Sequence, residues 1–155
     1  MLLSEIGKKL KELGVETLGV VATSPERTRL FFKYRPPRIR VGADPALVTH
    51  QAYGLPNLPH TPELEAALHP AASRVLGGTV PVDKALETLE RLDGYASTPE
   101  DLADSERHQA QIEGQFLVDR QGIVRWANIE GARDGLDGVG QIPSMEEFLA
   151  QARVL

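Results

Sequence analysis

Apolar positions along this chain fall into two rhythms. Leu2, Leu3, Ile6, Leu10 and Leu13 return every three or four residues, with Lys8, Lys9, Lys11 and Glu12 between them. That spacing gathers the apolar side chains into one stripe and predicts an amphipathic helix over 2–13. Gly14 is the residue type that ends helices by turning left-handed. The stretch 15–22 is short, nearly continuously apolar and rich in β-branched side chains, the composition of a strand covered on both faces. Thr23-Ser24-Pro25-Glu26 reads as a helix start, with a hydroxyl cap, a proline in the first turn and an early acid. That helix carries Leu30, Phe31 and Phe32 and stops at Tyr34-Arg35-Pro36-Pro37, because two prolines cannot continue it.

Residues 38–42 alternate polar and apolar and predict a short half-buried strand. Asp44-Pro45 opens a helix over 45–53, closed by Gly54. Helix and strand alternating in this way argue for parallel strands joined by crossover helices. The rhythm breaks over 55–111, where Pro56, Pro59, Pro62 and Pro70 punctuate the chain. Helical spacing returns at about 81–92 and, behind the capped start Ser97-Thr98-Pro99-Glu100, at about 99–109. We read about 56–111 as a helical insertion or lid on a single domain spanning 1–155, since it is too short for a core of its own. A strand at 115–119, a tight turn at Arg120-Gln121-Gly122 and a returning strand at 123–128 form a hairpin. Gly131, Gly135, Gly138 and Gly140 mark a loose segment, and Pro143-Ser144-Met145-Glu146-Glu147 starts a last helix that buries Phe148, Leu149 and Ala152.

The chain has 155 residues, 41% hydrophobic and 25% charged, and its formal net charge is −5. This length suits one ordinary domain that needs no covalent or metal staple. The acidic balance runs against a general phosphate-binding surface, so nucleic acid is not an expected partner. There is no cysteine, which removes disulfides, thiolate nucleophiles, Cys-x-x-Cys redox pairs and cysteine-based zinc sites from these residues. No apolar run approaches the roughly 18 residues of a membrane span. Met1-Leu2-Leu3-Ser4-Glu5 lacks the charged and apolar regions of a signal peptide, and the expected location is the cytoplasm.

Three stretches resemble the peroxiredoxin-like proteins of the alkyl hydroperoxide reductase/thiol-specific antioxidant (AhpC/TSA) group, which have the thioredoxin fold. Residues 10–21 followed by Ser24-Pro25-Glu26 look like that family's helix, strand and next helix start. Val41-Gly42-Ala43-Asp44-Pro45 leading to Tyr53-Gly54-Leu55 is similar to its Asp-Pro and Tyr-Gly segment. Residues 114–125, with Asp119-Arg120-Gln121-Gly122 at the turn, are similar to its hairpin. The resemblance covers 1–54 and 112–155. It implies an α/β, thioredoxin-like sandwich, with a mixed sheet of about four strands flanked by helices. It also implies thiol-dependent reduction of peroxides or disulfides in the family.

The departures carry as much weight. The family places its nucleophilic cysteine at the start of the helix matching 2–13, reached from a central strand just before it; this chain begins where that helix begins. The family's arginine ahead of the hairpin strand, and the cis-proline of thioredoxins, fall near Glu113. No catalytic residue is carried over, and no cofactor is implied. Removing the central strand would leave two strand edges unpaired inside the domain, at about 1–3 kcal/mol for each buried unpaired group. Direct pairing of the two strands, an inserted strand at 73–80, a second chain, or a longer natural chain would each resolve this. Three functions follow: a redox-family scaffold that is redox-inactive as written, a non-catalytic interaction module acting as a sheet-completing homodimer, or a cysteine-free enzyme using its carboxylates.

Other constellations read blandly. His50, His60, His69 and His108 are not paired at metal-ligand spacing, Asp44 and His50 are too loosely placed to count, and all four histidines are expected on the surface or in loops. No metal site is expected. Thr23 and Ser24 fit a helix cap better than a nucleophile, and no Gly-x-Ser-x-Gly elbow exists. The glycine-rich 131–140 lacks the Lys-Ser/Thr end of a phosphate-binding loop. Arg27, Arg29, Lys33, Arg35, Arg38 and Arg40 surround Phe31, Phe32 and Tyr34, a helix expected to bury its aromatics and solvate its cations. Glu113 reads as a solvated loop glutamate.

Overall fold

The computed structural model describes residues 2–34, 36–64, 66–67 and 98–155. The element order is α1 (Leu2–Glu12), β1 (Leu18–Val21), α2 (Pro25–Tyr34), β2 (Arg40–Ala43), α3 (Val48–Ala52) and β3 (Asn57–Leu58). After these come α4 (Pro99–His108), β4 (Ala110–Gln111), β5 (Gly114–Val118), β6 (Val124–Ile129), a 3₁₀ turn (Gly135–Gly138) and α5 (Met145–Ala152). The chain is therefore α/β; the expected helices and strands that fall on described residues appear within a few residues of their expected bounds, whereas β3, β4 and the 3₁₀ turn carry no sequence expectation. The helix expected at 81–92 and the strand considered at 73–80 lie outside the described residues. No described helix is long and apolar enough to cross a membrane.

Local chemistry sets the boundaries. Gly14 adopts φ +78°, its N–H donates to Lys11 O (3.0 Å), and the Val15 N–H reaches back to Leu10 O (3.0 Å). This paired closure satisfies carbonyls that the end of α1 would otherwise orphan. Ser24 caps α2 by accepting the Arg27 N–H (3.2 Å), and Ser144 caps α5 by accepting the Glu147 N–H (3.2 Å). The helix expected over 45–53 is shortened at its front, because Leu47 is left-handed at φ 57° and α3 starts only after it.

β1 and β2 run parallel, from Leu18 beside Arg40 to Val21 beside Ala43. β5 and β6 form the expected antiparallel hairpin, from Gly114 beside Ile129 to Val118 beside Val124, with a bulge at Leu117/Val118. The expectation of one mixed sheet of about four strands is corrected here. The four strands form two separate two-stranded sheets, and β3–β4 forms a third. A strand joins a sheet only where its edge lies about 4.8 Å from a partner over several residues. Among the described residues β1 meets that condition with β2 alone and β5 with β6 alone.

Two-stranded sheets are marginal by themselves, and α1 is what joins them. Its Ile6 and Leu10 pack with Leu117 of β5 and with Phe148 and Ala152 of α5, and Val15 and Trp126 close the cluster. Trp126 meets Phe148 edge-on, with ring centroids 5.3 Å apart. One residue along the helix, Gly7 rests on the run-in to the other pair: a Cβ there would sit 2.6 Å from Ile39 Cγ2, just ahead of β2, and 3.5 Å from Thr17 Oγ1, just ahead of β1. The opposite face of β5 is covered too, by Tyr53 against Phe116 (4.7 Å) and by Leu55 against Gly114. β3 and β4 pair at the two ends of the expected insertion, Asn57 beside Gln111 and Leu58 beside Ala110.

Candidate functional site

Open α/β sheets place ligands outside the carboxyl ends of their parallel strands. Here that end is where β1 and β2 release the chain. The Val21 carbonyl accepts two N–H groups, from Thr23 (2.9 Å) and from Asp44 (2.8 Å), so both exits are tied to one atom. Around this point the sequence has gathered hydroxyls, carboxylates, guanidinium groups and two histidines.

α4 brings several of them. The Thr23 hydroxyl donates to Asp104 Oδ2 (2.8 Å), and Arg27 Nε donates to Asp101 Oδ1 (3.0 Å). A second Arg27 nitrogen pairs with Asp101 Oδ2, making the contact bidentate. Arg107 pairs with Asp104 and donates from Nε to His108 Nε2 (3.2 Å). Because a guanidinium only donates, Nε2 must accept, which puts a neutral His108 proton on Nδ1. His108 is 6% exposed, so the expectation that all four histidines are surface or loop groups is corrected at this residue. His108 is the one residue of the last turn of α4 that faces inward, while Ser105, Glu106 and Arg107 stay exposed.

Asp44 and His50 come together, although not, among the described residues, as part of a metal site. Asp44 is 9% exposed and its carboxylate accepts from the backbone of Val48 (3.0 Å), Thr49 (2.7 Å) and His50 (3.4 Å). His50 Nδ1 closes on the same Oδ2 at 3.2 Å. Burial pushes this carboxyl upward, but the His50 ring and the three N–H groups outweigh it and hold it below the usual carboxylate range. The Asp44–His50 pair thus caps α3 and orients an imidazole, leaving Nε2 as the nitrogen not engaged by Asp44. The signal in the sequence was an aspartate just ahead of a short helix, with the histidine inside its first turn.

The hairpin motif resolves into turn chemistry. Asp119 accepts from the N–H groups of Gln121 (2.9 Å) and Ile123 (2.9 Å) and from Arg125 Nε (2.6 Å), while Gly122 supplies φ +82°. The Ile123 N–H foremost, opposed by burial and helped by Arg125 and the Gln121 N–H, holds the Asp119 carboxyl low. Glu113 is exposed as expected. Its carboxyl is nevertheless pushed up, by burial of its charged end and then by Glu130. Glu130 accepts the Glu113 N–H (3.0 Å) and also the Gly140 N–H, pinning the glycine-rich loop to the base of β5. Beneath that loop lies a polar cleft of about 200 Å³, lined by Asn128, Glu130, Arg133, Asp134 and Glu147 among others.

No protein-family model, no curated protein and no solved structure matches this chain. The remaining sequence candidates separate clearly. Ser24 is a cap, as read. Arg27 is drawn inward by Asp101, whereas Arg29, Lys33, Arg38 and Arg40 are exposed. Phe31 is 44% exposed, which corrects the expectation of buried aromatics on α2; Phe32 is half-buried and meets Phe31 edge-on at 5.2 Å. His60 is exposed, while His69 and Arg35 lie outside the described residues. Among the described residues no three histidine, aspartate or glutamate side chains could hold a metal ion together. Sequence reasoning missed Asp101, Asp104 and Arg107, since nothing local links them to α2.

Proposed function

We propose that this chain is a thioredoxin-like scaffold of the peroxiredoxin type that works by binding and does no thiol redox chemistry with these residues. The observation that supports it is α1. One helix touches both two-stranded units, with Gly7 against Thr17 and Ile39 at the start of the β1–β2 pair and Ile6 and Leu10 against the β5–β6 pair. Among the described residues, β1 and β5 each keep one edge with no strand bonded to it. Such edges recruit extended segments. Identical chains satisfy them most simply about a two-fold axis, where each copy offers the same strand to the other. The proposed partner is therefore a second copy of this chain.

The chemistry argues in the same direction. The thiolate is the attacking group in peroxide and disulfide exchange, and these 155 residues hold no cysteine. Purified protein with a thiol reductant is expected to consume hydroperoxide at the uncatalysed rate. Light scattering is expected to give a dimer that dissociates on dilution, with amide exchange rising together at 18–21 and 114–118 as it does. A species that stays monomeric at every concentration overturns the dimer, and hydroperoxide turnover overturns the redox-silent reading.

A further inference from the structure

α4 contacts the carboxyl end of the β1–β2 pair through residues far away in sequence. Thr23 and Asp104 are 81 positions apart, and Arg27 and Asp101 are 74 apart. We propose that α4 is a detachable lid: it is latched over this end by Asp101 on Arg27 and Asp104 on Thr23, and hinged where Gln109 leads into the β4–β3 pair. Opening frees the Thr23 hydroxyl and the Arg27 guanidinium at the place where parallel strands deliver their chain ends.

Three independent features carry the proposal. The first is how little apolar surface α4 buries. Its one buried residue is His108, in the last turn beside the hinge, and Leu102 in the helix body is 54% exposed. A helix held by packing would bury a stripe of apolar side chains; among the described residues, this one is held by side-chain hydrogen bonds and an ion pair. The second is self-sufficiency. Thr98 and Asp101 form a reciprocal capping box, with the Thr98 N–H on Asp101 Oδ2 (2.8 Å) and the Asp101 N–H on Thr98 Oγ1 (3.4 Å). With its first turn satisfied internally, the helix needs no donor or acceptor from α2 to begin; once detached, its 10 residues are too few to hold their backbone hydrogen bonds, so its amides exchange from the open state. The third is the hinge. Gln109 sits at φ 58° and ψ −158°, a backbone region that only glycine enters without strain. Directly beyond it, the Ala110–Gln111 pair anchors the chain to Asn57–Leu58. Strain beside a fixed anchor marks where rotation takes place.

Amide hydrogen exchange tests this on the full chain. In the wild-type protein the α4 amides are expected to exchange through an opening that is insensitive to low denaturant, while β5 and β6 exchange through a larger, denaturant-sensitive one. Thr23→Val and Arg27→Gln both cut the latch from the α2 side, so the α4 capping box stays intact. Each is expected to speed α4 exchange about tenfold, the scale of one charge-assisted contact, with β5 and β6 unchanged. Arg29→Gln, an exposed cation on the same helix, is expected to leave α4 as it was. Wild-type α4 amides that exchange only together with β5 and β6 overturn the lid. So does a Thr23→Val protein with wild-type exchange in α4.

Discussion

The joining role of α1 can be tested at one atom. Gly7→Ala adds a methyl group whose carbon would stand 2.6 Å from Ile39 Cγ2. Favourable carbon contacts lie at about 3.5–4.0 Å, so roughly 1 Å must be found. Ile39 cannot easily yield it, because Cγ2 sits on the branched β-carbon, whose rotamer is stiff. Overpacking of this kind costs about 1–3 kcal/mol. Against it stands the gain of about 0.5–1 kcal/mol from replacing a helical glycine by alanine. The balance is a loss of about 1–2 kcal/mol, or a fall in Tm of roughly 2–8 °C for a chain of this size. Urea unfolding followed by the single tryptophan, Trp126, reads it directly, since that ring sits on Phe148 in the core. In an Ile39→Ala background the clash is gone, and the same Gly7→Ala change is expected to be neutral or stabilising. The cycle should therefore show a coupling of about 2 kcal/mol. If Gly7→Ala stabilises the wild-type protein by about 1 kcal/mol, as at an exposed helical glycine, then α1 does not rest on the β1–β2 pair and the argument built on it fails.

Two pH-dependent expectations follow from the carboxylates. Asp119 has its folded pKa held low, so the stability it contributes is present above its ordinary value of 3.8 and is lost as pH falls through the folded value. Asp119→Asn should therefore weaken the protein at neutral pH and converge with wild type in acid; a deficit that does not change with pH refutes this. Glu113 behaves oppositely. Its folded pKa lies above 4.5, so its charge costs stability once pH rises through the folded value. Glu113→Gln is expected to be slightly more stable than wild type at neutral pH and equal to it near pH 3. The gain is small because the residue reaches solvent, and denaturant midpoints at the two pH values measure it.

What the sequence made legible was local. Apolar spacing located α1, and the cap residues Ser24, Thr98 and Ser144 marked the starts of α2, α4 and α5, because each of those signals acts within a few residues of backbone. The turn at Asp119 and Gly122 was legible for the same reason. Assembly was not. Strand spacing shows that 18–21 and 114–118 are extended, but pairing depends on which edges meet after some ninety intervening residues, and no local pattern encodes that. The Asp44–His50 contact needs a left-handed Leu47 between the two, a backbone choice that a leucine does not advertise. The bidentate grip of Asp101 on Arg27 is longer-range still: from sequence alone Arg27 reads as a solvated cation and nothing singles out Asp101.

The pairing of Asn57–Leu58 with Ala110–Gln111 carries a consequence for how this protein can change over evolution. A closed neck fixes the distance between departure and return, so length added within the excursion, outside α4 and its contacts to Thr23 and Arg27, leaves the strand pairs where they are. Doubling the length of such an excursion adds only about 0.6 kcal/mol of closure cost. Natural variants of this protein should therefore differ in length between Leu58 and Ala110 far more than elsewhere. An engineer seeking a graft point for a foreign module has it at the same two rungs.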